Sequence, residues 1–414
     1  MASLRTWTVI ILGILITLSG TLTVMADDAS TAAASTDQLA RAGELFRQGN
    51  YPQAVEVCTE LINSKTDEAR AYTLRGRSRL NLGDYELAST DADQALALDP
   101  TVAWALVVKG LSARNMSKEG QAEKDFDLAI AAASQTLQTN PQDVETLIVR
   151  GVAYRLKGDM DLSIATFTQA LAIDPKRADS YFHRGMANAQ KGNIDQSVAD
   201  FTLAATIDIQ FAQALMKRGE VYRINRQDPE RAIADFSQAL VINAQSAEAY
   251  GLRAKAYLDK KDFTRAFADF TRAIELSPKA KDGYLNRARA YGVQREFDLA
   301  IADCSKAIEL DPKSAASWHQ RANAYYNKQD YDLAIADYTQ VITLDSKNAV
   351  AYLDRGDAQH NKSGFDKAIA DYTEAITLDP KYAQAYQRRG KSRQSKNEWE
   401  AAIADSNQSL ALDP

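Results

Sequence analysis

The chain is poor in the residues that carry chemistry. Two cysteines and three histidines in 414 residues leave little material for thiol catalysis or for a metal centre, which needs three or four converging ligands. No excess of positive charge is present either. The 49 Lys and Arg are outnumbered by 55 Asp and Glu, for a net charge of −6, which excludes a chain built as a basic nucleic-acid binder. There is no phosphate loop, metalloprotease helix or nucleophile elbow. His183, His319 and His360 are far apart in the sequence, with no serine, aspartate or ligand partner evident for any of them. These deficits predict a non-enzymatic protein without metal or cofactor. The remaining composition, 45% hydrophobic and 25% charged, is that of a folded chain.

The first 26 residues differ from the rest. Arg5 precedes an uncharged, mostly apolar run from Trp7 to Leu18, and Val24-Met25-Ala26 forms a small-residue site before Asp27-Asp28. This is the form of a secretory signal peptide, and it predicts export to the periplasm or the extracellular space. The alternative is an uncleaved membrane anchor over residues 7–25, the one route by which the chain would touch a membrane. Residues 27–35 read as a flexible leader. Cys58 and Cys304 sit at core-type helix positions far apart in the array, and no disulfide is expected between them.

Glycine and proline are scarce but periodic. A Gly or Ala closes a short motif at positions 43, 76, 110, 151, 185, 219, 254, 288, 322, 356 and 390, with spacings of 33, 34, 41, 34, 34, 35, 34, 34, 34 and 34. Each unit reads as two helices. Tyr352, Arg355, Gly356 and Gln359 have helical spacing. After a turn, Phe365, Ala368, Ile369, Tyr372 and Ala375 form an amphipathic stripe. Asp379-Pro380 then ends the helix, since proline offers no N–H and disfavours helical geometry before it. One such hairpin cannot bury its own apolar face, so neighbours must stack.

The unit resembles the tetratricopeptide repeat in length and in its small/aromatic pattern. Eleven copies run from Thr36 to Pro414. The resemblance implies an all-α, right-handed α-solenoid whose first helices line a concave groove, and it implies binding of a protein or peptide partner there. The AIADYTQ-type units are similar to bacterial, especially cyanobacterial, members. The spacing of 41 puts seven extra residues in repeat 3. They lengthen its second helix by nearly two turns or form a longer loop, and the Ala- and Leu-rich composition favours helix. The spacing of 35 adds one residue near Gln227-Asp228-Pro229. Ser406, Ser409 and Arg393 in repeat 11 suggest a polar capping unit.

In most repeats a basic residue precedes the small residue and an Asp lies sixteen positions after the basic one, as in Arg75/Asp91, Arg184/Asp200, Arg321/Asp337 and Arg389/Asp405. Lys109/Asp125 and, with one extra residue, Arg218/Asp235 fit the same rule. Recurrence through the array marks these as structural ion pairs rather than a ligand ladder. In the resembled family, the positions three before and one after the small residue face the groove. Both are apolar only in repeats 3 to 5, where Val107, Leu111, Ile148, Val152, Phe182 and Met186 form one stripe. Trp104 lies nearby and Arg114 and Arg155 edge it. An exposed apolar patch marks an interaction site, unless the lengthened helix or tighter coiling covers it. The Lys/Asn/Arg set of a chaperone-tail clamp is not supplied by the groove positions. The sequence thus predicts an exported binding scaffold. Its rivals are a self-associating assembly protein and an accessory array for a separate enzyme.

Overall fold

The computed structural model describes residues 37–413, and no strand occurs among them. The targeting segment expected over 1–26 and the leader over 27–35 lie outside the described residues. The helices form two compact units, the first ending at Ser246 and the second starting at Ala247.

In the first unit, residues 37–47 form α1, paired with α2 (Tyr51–Asn63). Then follow α3 (Glu68–Leu82) with α4 (Tyr85–Leu98), α5 (Ala103–Asn115) with α6 (Glu119–Thr139), and α7 (Val144–Lys157) with α8 (Met160–Ile173). The last pairs are α9 (Ala178–Lys191) with α10 (Ile194–Ile207) and α11 (Ala212–Asn225) with α12 (Pro229–Ile242). The seven extra residues of repeat 3 fall in α6, which has 21 residues where α4 and α8 have 14. The second unit holds α13 (Ala247–Asp259), α14 (Phe263–Leu276), α15 (Lys281–Val293), α16 (Phe297–Leu310) and α17 (Ala315–Asn327). It continues through α18 (Tyr331–Leu344), α19 (Ala349–Asn361), α20 (Phe365–Leu378), α21 (Ala383–Ser395) and α22 (Trp399–Leu412). Both units are α-solenoids of helix pairs.

The local sequence explains each pair. The turn inside a pair needs one residue in the left-handed region. Gly83, Gly158 and Gly192 supply it with φ of 84°, 94° and 89°, which glycine adopts without a Cβ penalty. Elsewhere Ser117, Gln227, Arg295, Gln329 and Ser363 take the same conformation. The Asp that ends the second helix is extended, and its carboxylate accepts the N–H two residues on, as in Asp174 to Lys176 (3.0 Å) and Asp311 to Lys313 (3.1 Å). These aspartates stop helices.

The helices of a pair close on a small residue set against an aromatic ring. A Cβ added to Gly151 would lie 2.8 Å from the Phe167 ring, and at Gly185, Gly219 and Gly356 it would lie 3.0, 2.7 and 2.6 Å from Phe201, Phe236 and Tyr372. Each ring is fully buried, contributing about 1.5–3 kcal/mol per side chain.

The charged ladder is structural. Arg184 Nη2 and Nε donate to Asp200 at 2.8 and 3.0 Å, and Nη1 donates to Thr168 Oγ1 at 3.2 Å. Arg75 binds Asp91 and Thr59 in the same way, as Arg321 binds Asp337 and Ser305. The hydroxyl sixteen residues before the arginine belongs to the preceding pair, so one guanidinium ties three helices together. Lys109 is the exception to the expected rule. It pairs with Asp93 at 2.7 Å, and its point-like ammonium cannot reproduce the fork of arginine. Asp125 is left buried with Oδ2 unpartnered among the described residues, and burial raises its pKa.

Candidate functional site

The first helices of the first unit touch in succession, α3 with α5, α5 with α7, α7 with α9 and α9 with α11. They therefore form the inner layer of its curve. That curve closes. Arg47, at the end of α1, donates to Asp208 Oδ2 at 3.0 Å, and Asn243 Nδ2, just past α12, donates to the Gln48 carbonyl at 3.2 Å. Tyr51 and Gln213 also hydrogen-bond. Contacts across 161, 195 and 162 residues bring the first pair against the fifth and sixth.

The closed turn lines a cavity of about 340 Å³ that stays partly open to solvent. Its apolar wall includes Trp104, Val107, Leu111, Val152, Phe182 and Phe211. Phe182 and Phe211 pack with centroids 4.9 Å apart. The polar lining is Arg77, Glu145, Arg155, Arg177, Asp179 and His183.

These polar groups divide into two sets. Glu145 accepts from Trp104 Nε1 (3.0 Å) and Arg177 Nη2 (2.7 Å), and Arg177 also donates to Asp179 Oδ2 at 2.8 Å. The Asp179 bond is the leading reason that Arg177 is held above the usual guanidinium range. Burial opposes ionisation of Asp179, but the Arg177 bonds bring its pKa below normal. The second set is unpaired. Arg77 lies over the Trp104 ring at 4.0 Å and the Phe46 ring at 4.8 Å, stacking that stabilises the cation, yet it forms no ion pair among the described residues. Among the described residues Arg155 has one long contact, 3.5 Å to Gln190, and its buried Nε has no partner. Burial lowers both pKa values, that of Arg155 to about 10. His183 stacks against Phe167 with centroids 5.8 Å apart, and its buried Nδ1 has no partner among the described residues. Burial first, and then Arg155 and Arg77, push its pKa down to about 3 although Asp179 opposes them. The imidazole is neutral at pH 7.

The structure corrects the expected stripe. Val107 and Ile148 are 1% exposed, Val152 3% and Phe182 8%. They form no open apolar patch: Val107, Ile148 and Val152 pack in one core with Ala129, Ala133 and Phe167, and Phe182 packs with Phe201 and Phe211. Trp104, Val107, Leu111, Val152, Phe182 and Arg155 still converge on the cavity. Ile148 belongs to the core with Ala129 and Phe167, and Met186 packs on the Phe201 cluster. Arg114 is engaged with Glu119, Glu123 and the Leu156 carbonyl. Sequence reasoning missed Glu145, Arg177, Asp179, Phe211 and the role of Arg77 and His183. Only Arg77 carried a signal, as a groove-facing cation.

The histidines are not isolated either. His319 meets Asp354 at 2.8 Å and His360 meets Ser392 Oγ at 2.7 Å. Ser392 is fully buried, so no substrate reaches that serine. Cys58 and Cys304 are buried thiols, each pushed up to about 12 by burial. Among the described residues no group of His, Cys, Asp or Glu could hold a metal ion, and no helix is long and apolar enough to cross a membrane.

The fold defines a helical-repeat solenoid with a cavity on the inner side of its first unit. The chain belongs to the tetratricopeptide repeat family: models described as tetratricopeptide repeat or TPR repeat match residues 39–103, 151–192, 178–208, 221–281, 282–314, 315–348 and 349–382. It is 29% identical over 107 residues to Hsp70-Hsp90 organizing protein 1 of Glycine max, covering 26% of this chain and 18% of that protein. It is 33% identical over 102 residues to the Protein SGT1 homolog of Oryza sativa subsp. japonica, covering 25% and 28%. The chain thus spans less than a third of either relative. Among solved structures it is similar to a tetratricopeptide repeat protein from Parabacteroides merdae, with 20% identity, a TM-score of 0.48 and coverage of 61% of this chain and 99% of that one.

Proposed function

We propose that this protein is a non-enzymatic scaffold that binds a segment of a partner protein or a peptide in the closed turn of its first unit, and that it does so outside the cytoplasm. The observation that carries the reading is the cavity itself, an apolar chamber with Arg77 and Arg155 unpaired inside it. Burial disfavours the charged form of both guanidinium groups, with Glu145 and Asp179 opposing it only at Arg77, and an anionic ligand would offset that penalty. Family membership supports a binding role. The placement outside the cytoplasm rests on the composition of residues 1–26, and a mature amino terminus at Asp27 is its direct check. The test of binding is capture by the chain starting at Asp27, compared with its Arg155→Gln variant. A partner retained by the first and lost by the second supports the reading. Equal retention by both contradicts it.

A second reading has its own observation. Trp399, Ile403 and Leu410 are 54%, 61% and 63% exposed and lie on one face of α22 at helical spacing. A second copy covering them would make the chain an assembly protein. Light scattering that finds a monomer at all concentrations excludes that reading.

A further inference from the structure

With the cavity taken as the place where this protein binds, we propose that it is a receptor for one carboxylate carried on an apolar group, held between Arg77 and Arg155 with His183 beside them. The charge inventory selects the ligand. Arg77, Arg155 and Arg177 face Glu145 and Asp179 in the lining. Arg177 is consumed by the two carboxylates, and the closing residue Arg47 is paired with Asp208. His183 is neutral. Three cations against two anions leave one positive charge, which matches a monoanion and leaves a phosphate dianion under-neutralised. Planar guanidinium groups suit a planar carboxylate. The buried Arg155 Nε, without a partner among the described residues, supplies a donor that water or an acid must satisfy, and the buried, unpartnered His183 Nδ1 adds a second donor in its Nδ1–H tautomer.

The rest of the lining selects what carries the carboxylate. Val107, Leu111, Val152, Phe182 and Phe211 offer carbon, and the free polar groups cluster beside Trp104 and His183. An acid with an aromatic or branched aliphatic body fits both parts. Two sources share this chemistry, a free small acid and the C-terminal carboxylate of a peptide ending in an apolar residue.

The experiment is calorimetric titration of the full chain with 3-phenylpropionate and with its amide, and with the peptide Gly-Ser-Gly-Val-Phe as free acid and as C-terminal amide. The expected result is that at least one acid binds ten or more times more tightly than its own amide. Arg155→Gln and Arg77→Gln should each remove at least tenfold of that preference, while Arg289→Gln in the second unit leaves it unchanged. If the peptide acid alone, or both acids, show the preference, the carboxylate site and the scaffold reading stand together. If only the small acid does, the site stands and the peptide-binding reading falls. If neither acid exceeds its amide, the proposal is overturned, whatever partner the capture experiment yields. Should either arginine variant fail to fold, the acid-against-amide comparison on the unaltered chain decides alone.

Discussion

Arg47 donates its Nε hydrogen to Asp208 Oδ2 at 3.0 Å although 161 residues separate them. This bond and the Asn243–Gln48 bond lie at the seam where the open groove becomes a chamber. Each is partly exposed, and an exposed ion pair is worth only about 0–1 kcal/mol. Closure therefore depends on the accumulated rotation of six stacked pairs, with the contacts at the seam recording it.

The ladder should prove structural by its asymmetry. Asp200→Ala strands Arg184, whose guanidinium loses both carboxylate bonds. The expected loss is about 2–3 kcal/mol, below the 3–5 kcal/mol of a wholly buried pair because Arg184 keeps part of its hydration. Asp125→Asn in repeat 3 should instead stabilise, since it removes a buried carboxylate whose Oδ2 has no partner among the described residues. Thermal melts of the two variants check both signs.

Two glycines separate packing from backbone strain. At Gly192 an added Cβ meets nothing within 4 Å, but φ is 89°. Gly192→Ala should cost about 1–2 kcal/mol from conformation alone. Gly185→Leu pushes into the Phe201 ring, already 3.0 Å from an added Cβ, and overpacking of that kind costs about 1–3 kcal/mol. Damage should stay with the neighbours. Hydrogen exchange should rise in repeats 4 to 6 and hold steady in repeats 9 to 11. Uniform loss of protection would contradict nearest-neighbour coupling.

The pair-by-pair architecture was legible in the sequence because each unit encodes itself. Gly151 needs Phe167 sixteen residues on, Arg184 needs Asp200, and Asp174 needs the backbone two residues ahead. The hydroxyls at Thr168 and Ser305 follow the same period and could have been found. The chamber was not legible in that way. Its residues come from six pairs, and whether Arg47 reaches Asp208 depends on small rotations summed over the array, which no single spacing records. Leu353 shows the same gap. It occupies a groove-type position yet is 3% exposed, because Ala368, Tyr372, Ala375 and Ile376 of α20 and Ala385 of α21 pack around it.

His183 gives the first unit a specific acid sensitivity. Its pKa falls from 6.5 in the unfolded chain to about 3 in the fold, so between those values the unfolded state binds more protons. Its stabilising contribution is complete above pH 6.5 and is lost as pH falls toward 3, at a slope approaching about 1.4 kcal/mol per pH unit. Arg77, Arg155 and Asp179 are the charged groups acting on the ring. In urea titrations from pH 7 to pH 4, His183→Gln should show a shallower loss than the unaltered chain. Parallel curves would show that the imidazole is not held neutral.

The most direct test of the closed chamber is the distance between its two edges in solution. Spin labels placed by Gln48→Cys and Gln210→Cys report it while leaving Arg47 and Asp208 to pair, with Cys58 and Cys304 buried and their thiols held un-ionised. The chamber predicts one narrow population at the shortest distances two labels allow. A broad distribution extending to the width of an open groove would contradict it.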